Sequence, residues 1–321
     1  MQDLRKLGSN GPEITTVGLG AWAIGGPWKV GWGPQDDGAS IAAIRRAIEL
    51  GINWVDTAAI YGLGHSEEVV GRAVAAFPRE SFYLFTKCGR VADDTGTPRG
   101  DLRPQSIRRE MEQSLRRLRT DYVDLYQIHW PDTDTGTPIE ESWATLAALQ
   151  DEGKTRWIGV SNFDVPLLER CEAIRHVDSV QPPYSLLRRE AEREILPWCS
   201  AHGTGVIVYS PMQSGLLSGT FDVARLAPDD WRRRSPFFQE PQLSRALALV
   251  EALRPIARRE GLTVGQLAVA WTLMHPSVTG AIVGARNPKQ VEENAGAMGR
   301  HLHADTLRAI EEALQSAFPA G

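Results

Sequence analysis

Eight short apolar segments, each followed by a stretch with helical periodicity, constrain the fold of this chain more than any other feature. They are largely continuous runs rich in valine, isoleucine and aromatic residues, as expected of parallel strands buried on both faces. Their alternation with helices is typical of βα units. The eight segments cover residues 17–22, 52–57, 82–87, 122–129, 156–161, 179–184, 205–210 and 279–284.

The segments between these strands carry helix signals. Ile41, Ile44 and Ile48 share one face of a helix that Asp36 or Asp37 caps. Eight such units without a break in composition predict a closed (β/α)8 TIM barrel, which is an α/β fold of roughly 250 residues. We therefore expect one domain over 1–321, with additions to the barrel.

Three additions are expected. An N-terminal β-hairpin pairs residues 4–8 with residues 13–18, and Asn10 and Gly11 provide its turn. A long loop, residues 218–238, follows strand seven. Loops of this length are usually lids, binding loops or disordered segments. Its arginines, 232–234, could meet a phosphate, although solvated charge is the commoner explanation. A helix completes the C-terminus.

One motif favours a different fold, the open doubly wound sheet. Gly18, Gly20 and Ala23 match the G-x-G-x-x-G/A dinucleotide fingerprint. That fingerprint should open a helix at once, whereas prolines and glycines follow here in residues 24–34. The barrel therefore remains the preferred interpretation.

Composition limits the classes of partner. The net charge is −5, and no run of eighteen apolar residues or apolar leader is present. Neither nucleic acid nor a membrane is therefore an expected partner, and we expect a cytoplasmic protein. Cys88, Cys171 and Cys199 are too few and too widely spaced to suggest a disulfide framework or a paired metal site.

Four polar residues stand at the carboxyl ends of three consecutive strands, where active sites of such barrels lie. Asp56 ends strand two, Tyr61 lies in the loop beyond it, Lys87 ends strand three and His129 ends strand four. Each alone has an ordinary structural explanation. Together they predict a shared pocket, because a buried lysine needs a carboxylate partner and Asp56 is placed to be that partner.

These residue types suit carbonyl reduction. The pKa of a tyrosine is ordinarily about 10, and a nearby ammonium group favours the phenolate and lowers that pKa. We therefore expect Lys87, held by Asp56, to lower the pKa of Tyr61. Tyr61 would then act as a general acid that protonates the carbonyl oxygen while hydride reaches the carbon, and His129 would hydrogen-bond to that oxygen.

Seven motifs occur in order along the chain. They are DTAAIYG (56–62), TKCG (86–89), QIHW (127–130), GVSNF (159–163), QPPYS (181–185), YSPMQSGLLSG (209–219) and IVGARNPKQVEEN (282–294). Together they look like the ordered landmarks of the aldo-keto reductase superfamily, and more closely like its bacterial and channel-beta-subunit branch. The resemblance implies a (β/α)8 barrel with an N-terminal hairpin, NAD(P)(H)-dependent reduction of aldehydes or ketones, and no metal.

The resemblance also implies roles for individual residues. Tyr61 would be the general acid, Lys87 and Asp56 the pair that tunes it, and His129 the residue that orients the carbonyl. Tyr209 would stack under the nicotinamide ring, although a core aromatic is an equally good explanation. The other implied cofactor contacts are Ser161, Asn162 and Gln181 for the carboxamide, Glu293 and Asn294 for adenine, and also Trp22, Asp56, Gly284 and Ala285.

Two segments suit the phosphates of a dinucleotide. In residues 210–218 the glycines and Pro211 allow a loop whose backbone N–H groups approach phosphate oxygens, with Ser210, Met212, Gly215, Leu216 and Ser218 as candidates. Asn287 and Pro288 can begin a helix beside Arg286, which suits a 2′-phosphate and hence NADPH. Gly284 and Gln290 replace a lysine and an arginine common in the family, so NADH remains an alternative.

The expected substrates are small carbonyl compounds. Trp22, Trp28 and Trp130 lie at or beyond strand ends and could wall an apolar pocket beside Tyr61 and His129. We expect aliphatic or aromatic aldehydes to be reduced. The oligomeric state does not follow from the sequence.

Two other functions compete with reduction. One is a nucleotide-sensing regulatory subunit resembling potassium-channel beta subunits, because one fold serves several functions. The other, a metal-dependent hydrolase, is the weakest, since the seven histidines form no H-E-x-x-H motif and the tail histidines, His301 and His303, are more simply solvated.

Overall fold

Twelve strands and ten α-helices make up the described part of the chain, residues 3–319 of a computed structural model. The strands are β1 (Leu4–Lys6), β2 (Glu13–Thr15), β3 (Val17–Gly20), β4 (Trp54–Asp56), β5 (Tyr83–Cys88), β6 (Arg90–Ala92), β7 (Pro98–Gly100), β8 (Val123–Ile128), β9 (Thr155–Ser161), β10 (Ser179–Gln181), β11 (Gly205–Val208) and β12 (Gly280–Gly284). The helices are α1 (Asp37–Glu49), α2 (His65–Val74), α3 (Pro104–Leu118), α4 (Ile139–Asp151), α5 (Val165–Glu172), α6 (Ile195–His202), α7 (Gln242–Arg259), α8 (Val264–Leu273), α9 (Pro288–Ala295) and α10 (Ala304–Ala317).

Eight of the strands close into a parallel barrel. Their order around it is β3, β4, β5, β8, β9, β10, β11 and β12, and β12 pairs with β3 through Ala281–Gly284 and Val17–Gly20. The predicted (β/α)8 barrel is therefore confirmed and the open doubly wound sheet is wrong. The segment after Gly20 forms a short 3-10 turn over Trp22–Gly25 instead of the long helix that a dinucleotide fingerprint opens.

Several strands end earlier than the apolar runs predict. The first barrel strand stops at Gly20, two residues before Trp22, and the sixth stops at Gln181, three residues before the end of its predicted segment. Beyond these points the chain leaves the ladder to line the barrel mouth, where apolar side chains are also buried. Hydrophobicity alone therefore overestimates strand length at this end.

The N-terminal hairpin packs against the end of the barrel opposite the mouth. β1 and β2 pair antiparallel, and Leu7 and Ile14 pack in one buried cluster with Trp54. The turn differs from the prediction, because the positive φ of +66° is at Gly8 and not at Asn10 or Gly11. A Cβ at Gly8 would also lie 2.6 Å from a backbone oxygen of the α6–β11 loop.

Two excursions cover the mouth of the barrel. The β6–β7 hairpin follows β5 directly, with Arg90 opposite Gly100. Residues 218–238 contain three short 3-10 turns after the one at Leu216–Ser218, and Trp231 lies with its ring centroid 5.4 Å from that of Trp22. This loop is therefore folded across the mouth. Within residues 3–319, no helix is both long and apolar enough to cross a membrane.

Candidate active site

A cavity of about 670 Å³ opens at the carboxyl ends of the barrel strands. Among the residues predicted for the site, only Lys87 and Leu216 do not line it, and both are buried. The predicted residues on its wall are Trp22, Trp28, Asp56, Tyr61, His129, Trp130, Ser161, Asn162, Gln181, Tyr209, Ser210, Pro211, Met212, Gly215, Ser218, Gly284, Ala285, Arg286, Gln290, Glu293 and Asn294.

A buried ion pair connects two neighbouring strands below the cavity. Asp56 ends β4 and Lys87 lies in β5, which pairs with it. The Lys87 Nζ donates hydrogen bonds to Asp56 Oδ1 at 2.5 Å, to Thr57 O at 2.9 Å and to Tyr61 Oη at 3.4 Å. The ammonium group thus has three oxygen partners, which offset the cost of burying its charge.

Glycines bring Tyr61 to this ion pair. The chain after β4 turns at Gly62, whose φ is +59°, and there it crosses the Trp22–Gly25 turn. A Cβ on Gly62 would lie 2.0 Å from Gly25 O, and one on Gly25 would lie 2.8 Å from Gly62 N. Only glycine allows so close a crossing. Ala58 and Ala59, in the same segment after β4, are buried.

The net pKa of Tyr61 differs from the prediction. Desolvation of the phenol raises its pKa, the Lys87 ammonium lowers it, and the Asp56 carboxylate raises it again, so that the pKa lies above the ordinary value. Lys87 therefore lowers the pKa of Tyr61 as expected, but burial outweighs the ammonium and the net pKa is raised. Burial also opposes the charge of Lys87, but the Asp56 and Tyr61 oxygens outweigh it and raise the pKa of Lys87. The structure thus holds a neutral phenol beside an ammonium group.

His129 faces Tyr61 across the cavity, with ring centroids 5.5 Å apart and the rings edge to face. Desolvation, together with the charges of Lys87 and Arg90, lowers the pKa of His129 well below its ordinary value. Its Nδ1 is buried and makes no hydrogen bond within residues 3–319. The imidazole is therefore neutral near pH 7 and has a single N–H.

The three residues predicted to hold a carboxamide lie together between β9 and β10. Gln181 Nε2 donates to Asp56 Oδ2 at 3.0 Å, and Ser161 Oγ donates to Gln181 O at 2.8 Å. Asn162 has a φ of +64° and its Nδ2 donates to His129 O at 3.0 Å. These bonds fix the amide groups in the wall of the cavity.

Two further contacts complete this wall. Tyr209 Oη donates to Asn162 Oδ1 at 2.7 Å, and desolvation raises the pKa of Tyr209 to about 12. Gln127, which sequence reasoning missed, donates to Asp56 Oδ2 at 3.3 Å and accepts from Gln181 Nε2 at 3.2 Å. The sequence feature that could have identified Gln127 is its position inside β8, two residues before His129.

The loop after β11 differs from the predicted phosphate cradle. The N–H groups of Gly215, Leu216 and Ser218 donate to carbonyls of the loop itself, at 3.1 Å in each case. Residues with positive φ, including Ser210, form the successive turns in which these N–H groups are hydrogen-bonded. Of the five predicted donors, only the Ser210 and Met212 N–H groups lack a partner in the described chain. The prediction is therefore wrong for the other three groups.

The helix predicted beside Arg286 is present as α9. Asn287 caps it by accepting the Gln290 N–H at 3.0 Å, and Gln290 Oε1 accepts the Arg286 N–H at 2.8 Å. Asn294 Nδ2 donates to Gly284 O at 3.1 Å. Arg286 lines the cavity, and its guanidinium has no hydrogen bond or ion pair in the part of the chain that the structure describes. An unpaired cation at a helix N-terminus fits a phosphate.

An aromatic wall at the mouth was only partly predicted. The Trp22 ring centroid lies 5.5 Å from that of Trp32, and the Arg232 guanidinium lies 4.4 Å above the Trp32 ring. Arg232 is also paired with Asp230 at 2.7 Å. The loops that carry Trp32 and Arg232 are 200 residues apart in sequence, so sequence patterns gave no signal that they meet.

Comparisons with known proteins agree with this geometry. The model of the Aldo/keto reductase family matches residues 16–315. The chain is 37% identical to the aldo-keto reductase YhdN of Bacillus subtilis (strain 168), over 97% of this chain and 93% of that protein. It is also 37% identical to the NADH-specific methylglyoxal reductase of Escherichia coli (strain K12), over 96% and 98% of the two chains.

Solved structures give the same result. The glycerol dehydrogenase AKR11B4 from Gluconobacter oxydans superposes with a TM-score of 0.89 and 38% identity, over 99% of this chain and 97% of that chain. An aldo/keto reductase from Klebsiella pneumoniae, solved with NADP and acetate, has a TM-score of 0.71 and 29% identity, over 96% and 95%. The chain therefore belongs to the bacterial branch of the aldo/keto reductase family and is an NAD(P)H-dependent oxidoreductase.

Proposed function

We propose that this protein reduces aldehydes or ketones to alcohols with NADPH, reversibly, and that Tyr61 is the general acid. The observation that carries this proposal is the chain of contacts from Asp56 through Lys87 to Tyr61, with His129 facing it across the cavity. We also propose that the chain forms one barrel domain, because strands from both halves of the sequence contribute to this cavity.

The cavity fits a nicotinamide dinucleotide. Its wall includes Ser161, Asn162 and Gln181, whose amide and hydroxyl groups suit a carboxamide, and Tyr209, whose ring suits stacking. Toward α9 it includes the unpaired Arg286, which suits a phosphate. When bound, the dihydronicotinamide would supply the hydride that adds to the carbonyl carbon.

The residues of this chain would supply the proton and the orientation. The pKa of Tyr61 is raised, so its phenol is protonated near pH 7 and its proton can pass to the carbonyl oxygen. The Lys87 ammonium would stabilise the phenolate that remains, and Asp56 holds that ammonium in place. His129, which is neutral, would donate its N–H to the same oxygen.

Support for NADPH over NADH rests on Arg286. A 2′-phosphate is the feature that distinguishes the two cofactors, and this guanidinium is an unpaired cation beside the α9 N-terminus. Among relatives, one is named as NADH-specific and one was solved with NADP. Cofactor choice is therefore a property of the individual chain.

The aromatic wall supports aldehydes with an apolar body as substrates. Trp22, Trp28 and Trp130 line the cavity, and Trp32 adds to the wall. Aromatic side chains of this kind commonly bury the apolar part of a small ligand, while a few polar groups orient it.

The direct test is turnover. Purified protein is mixed with NADPH or NADH and a panel of aromatic and aliphatic aldehydes, and cofactor oxidation is followed by absorbance. We expect aldehyde-dependent oxidation with a higher kcat/KM for NADPH than for NADH. Oxidation that is faster with NADH would contradict the cofactor proposal, and the absence of turnover with every carbonyl would contradict the function.

A further inference from the structure

An arginine that the proposed reaction does not use lines the cavity near His129. Arg90 begins β6, three residues beyond Lys87 in sequence, and its guanidinium makes no hydrogen bond or ion pair within residues 3–319. Its charge contributes to the lowered pKa of His129. An unpaired guanidinium in a cavity wall is available to bind an anion.

The acidic residues around Arg90 are engaged elsewhere. Asp101 accepts two hydrogen bonds from the Arg103 guanidinium, at 2.9 and 2.7 Å. Asp132 accepts three backbone N–H groups of its own loop, and Asp134 accepts the N–H of residue 100. The carboxylates on the cavity wall are Asp56, which is bound to Lys87, and Glu293 on α9. None of these acids pairs with Arg90.

The barrel order separates Arg90 from the segment predicted for the pyrophosphate. β5, which leads to Arg90, lies opposite β11, which leads to residues 210–218. Arg286 follows β12, beside β11, and would meet the other end of the cofactor. The two unpaired arginines therefore stand in different parts of the mouth, and Arg90 is the one near the carbonyl-orienting His129.

The backbone that carries Arg90 is fixed. The N–H of Gly89 donates to both carboxyl oxygens of Glu110, at 3.1 and 3.2 Å, and Gly89 O accepts the Asp101 N–H at 3.2 Å. The chain then enters the β6–β7 hairpin, whose Pro98 also lines the cavity. A charged group on a fixed base is preorganised for a ligand, which reduces the entropy lost on binding.

We propose that Arg90 forms an anion subsite and that the preferred substrates are carbonyl compounds that also carry a carboxylate. This inference rests on the proposed carbonyl reduction and specifies its substrate class. A guanidinium suits a carboxylate because its N–H groups can donate two parallel hydrogen bonds. The aromatic wall would strengthen this pairing by excluding water.

The test compares 4-carboxybenzaldehyde with its neutral methyl ester as substrates. The measured quantity is the kcat/KM for the acid divided by the kcat/KM for the ester. Arg90→Gln should lower this ratio by about tenfold or more, mainly through the KM for the acid, as expected when a charge-assisted hydrogen bond is lost. Arg90→Lys should restore part of the ratio, because it keeps the charge without the fork of donors.

Arg99→Gln is the matched control. Arg99 lies on the same hairpin, opposite Val91, is exposed, and is not part of the cavity wall. Arg99→Gln removes the same charge as Arg90→Gln. Because surface charges are screened over roughly 10 Å, this variant should keep the ratio of acid to ester kcat/KM within about twofold of wild type. A ratio that is unchanged in Arg90→Gln, or that falls equally in Arg99→Gln, would overturn the subsite.

A binding measurement separates this inference from the proposed function. If the wild type reduces neither aldehyde, the reductase proposal fails. Calorimetric titration of the cofactor-loaded protein with 4-(hydroxymethyl)benzoate still tests Arg90. Binding that weakens about tenfold or more in Arg90→Gln, but not in Arg99→Gln, supports an anion subsite. Equal binding to all three proteins, or binding to none, overturns it.

Discussion

At the scale of single residues, the balance between burial and charge governs the site. The same ammonium group that would stabilise a Tyr61 phenolate is itself paired with Asp56, and burial of the phenol outweighs the remaining effect. The result is a tyrosine that keeps its proton near pH 7 and a lysine that keeps its charge. This combination favours proton donation over proton abstraction.

Arg286→Ala tests the choice of cofactor at the same scale. The guanidinium has no partner in the described chain, so its removal leaves no other group unpaired. We expect the Kd for NADPH to rise by about tenfold or more, the value expected for losing a charge-assisted contact, and the Kd for NADH to change little. Cofactor titration followed by quenching of tryptophan fluorescence gives both values.

Lys289→Ala is the control for Arg286→Ala. Lys289 is exposed on the first turn of α9 and does not line the cavity. It should leave both dissociation constants near their wild-type values. An Arg286→Ala variant that binds NADPH as tightly as wild type would contradict the NADPH proposal.

At the scale of elements, the close crossing of two loops positions Tyr61. Gly62→Ala would place a Cβ 2.0 Å from Gly25 O and would also strain a φ of +59°. We expect the free energy of unfolding to fall by more than about 3 kcal/mol and kcat to fall with it. Urea denaturation and aldehyde turnover measure the two effects.

Gly136→Ala is the control that introduces backbone strain at a positive φ without a steric clash. Gly136 has a φ of +67°, but nothing lies within 4 Å of its Cβ position. The control should therefore lose only about 1 kcal/mol from the left-handed backbone and should keep its kcat. If both variants lose the same stability and the same activity, the crossing does not position Tyr61.

Glu110 on α3 gives the β5–α3 contact a pH dependence. The pKa of Glu110 is raised to about 8, mainly by desolvation. The Gly89 N–H and the charge of Arg109 lower this pKa, whereas the charges of Asp101 and Glu67 raise it. Because the folded state binds the proton more tightly, this contribution to stability is complete below about pH 4.5 and is lost as the pH rises through about 8. Where this dependence is steepest, the free energy of unfolding falls by about 1.4 kcal/mol per pH unit.

Glu110→Gln tests this dependence, because an amide can still accept the Gly89 N–H but does not ionise near neutrality. Between about pH 5.5 and about pH 8.5, the free energy of unfolding should fall less in the variant than in wild type. Glu112→Gln, exposed on the same helix, is the control and should keep the wild-type slope. Equal slopes in all three proteins would refute the assignment.

At the scale of the whole molecule, the barrel could be predicted from the sequence because strand and helix periodicities repeat eight times. The positions at which the strands end could not be predicted. Trp22, for example, is apolar and follows β3, yet it lies in the cavity wall. The periodicity of side chains reports burial, and residues at the mouth are buried by loops as well as by the ladder.

The residues of the site likewise fall into those that could be predicted from the sequence and those that could not. Asp56, Lys87 and His129 could be predicted because strand order places consecutive strand ends side by side. Trp32 and Trp231 could not, because their loops meet only after the barrel has closed, with ring centroids 6.2 Å apart. The predicted phosphate loop has the expected glycines, but composition did not reveal that its own turns use most of its N–H groups.

The central claim is that Tyr61 supplies the proton in a carbonyl reduction. The measurement that tests it most directly is single-turnover NADPH oxidation with a reactive aromatic aldehyde, in wild type and Tyr61→Phe, after both are shown to bind the cofactor. We expect the variant to bind NADPH normally and to react on the order of 100-fold or more slowly. A variant that reacts at the wild-type rate would contradict the claim, and two inactive proteins that bind NADPH tightly would instead indicate a cofactor-sensing role.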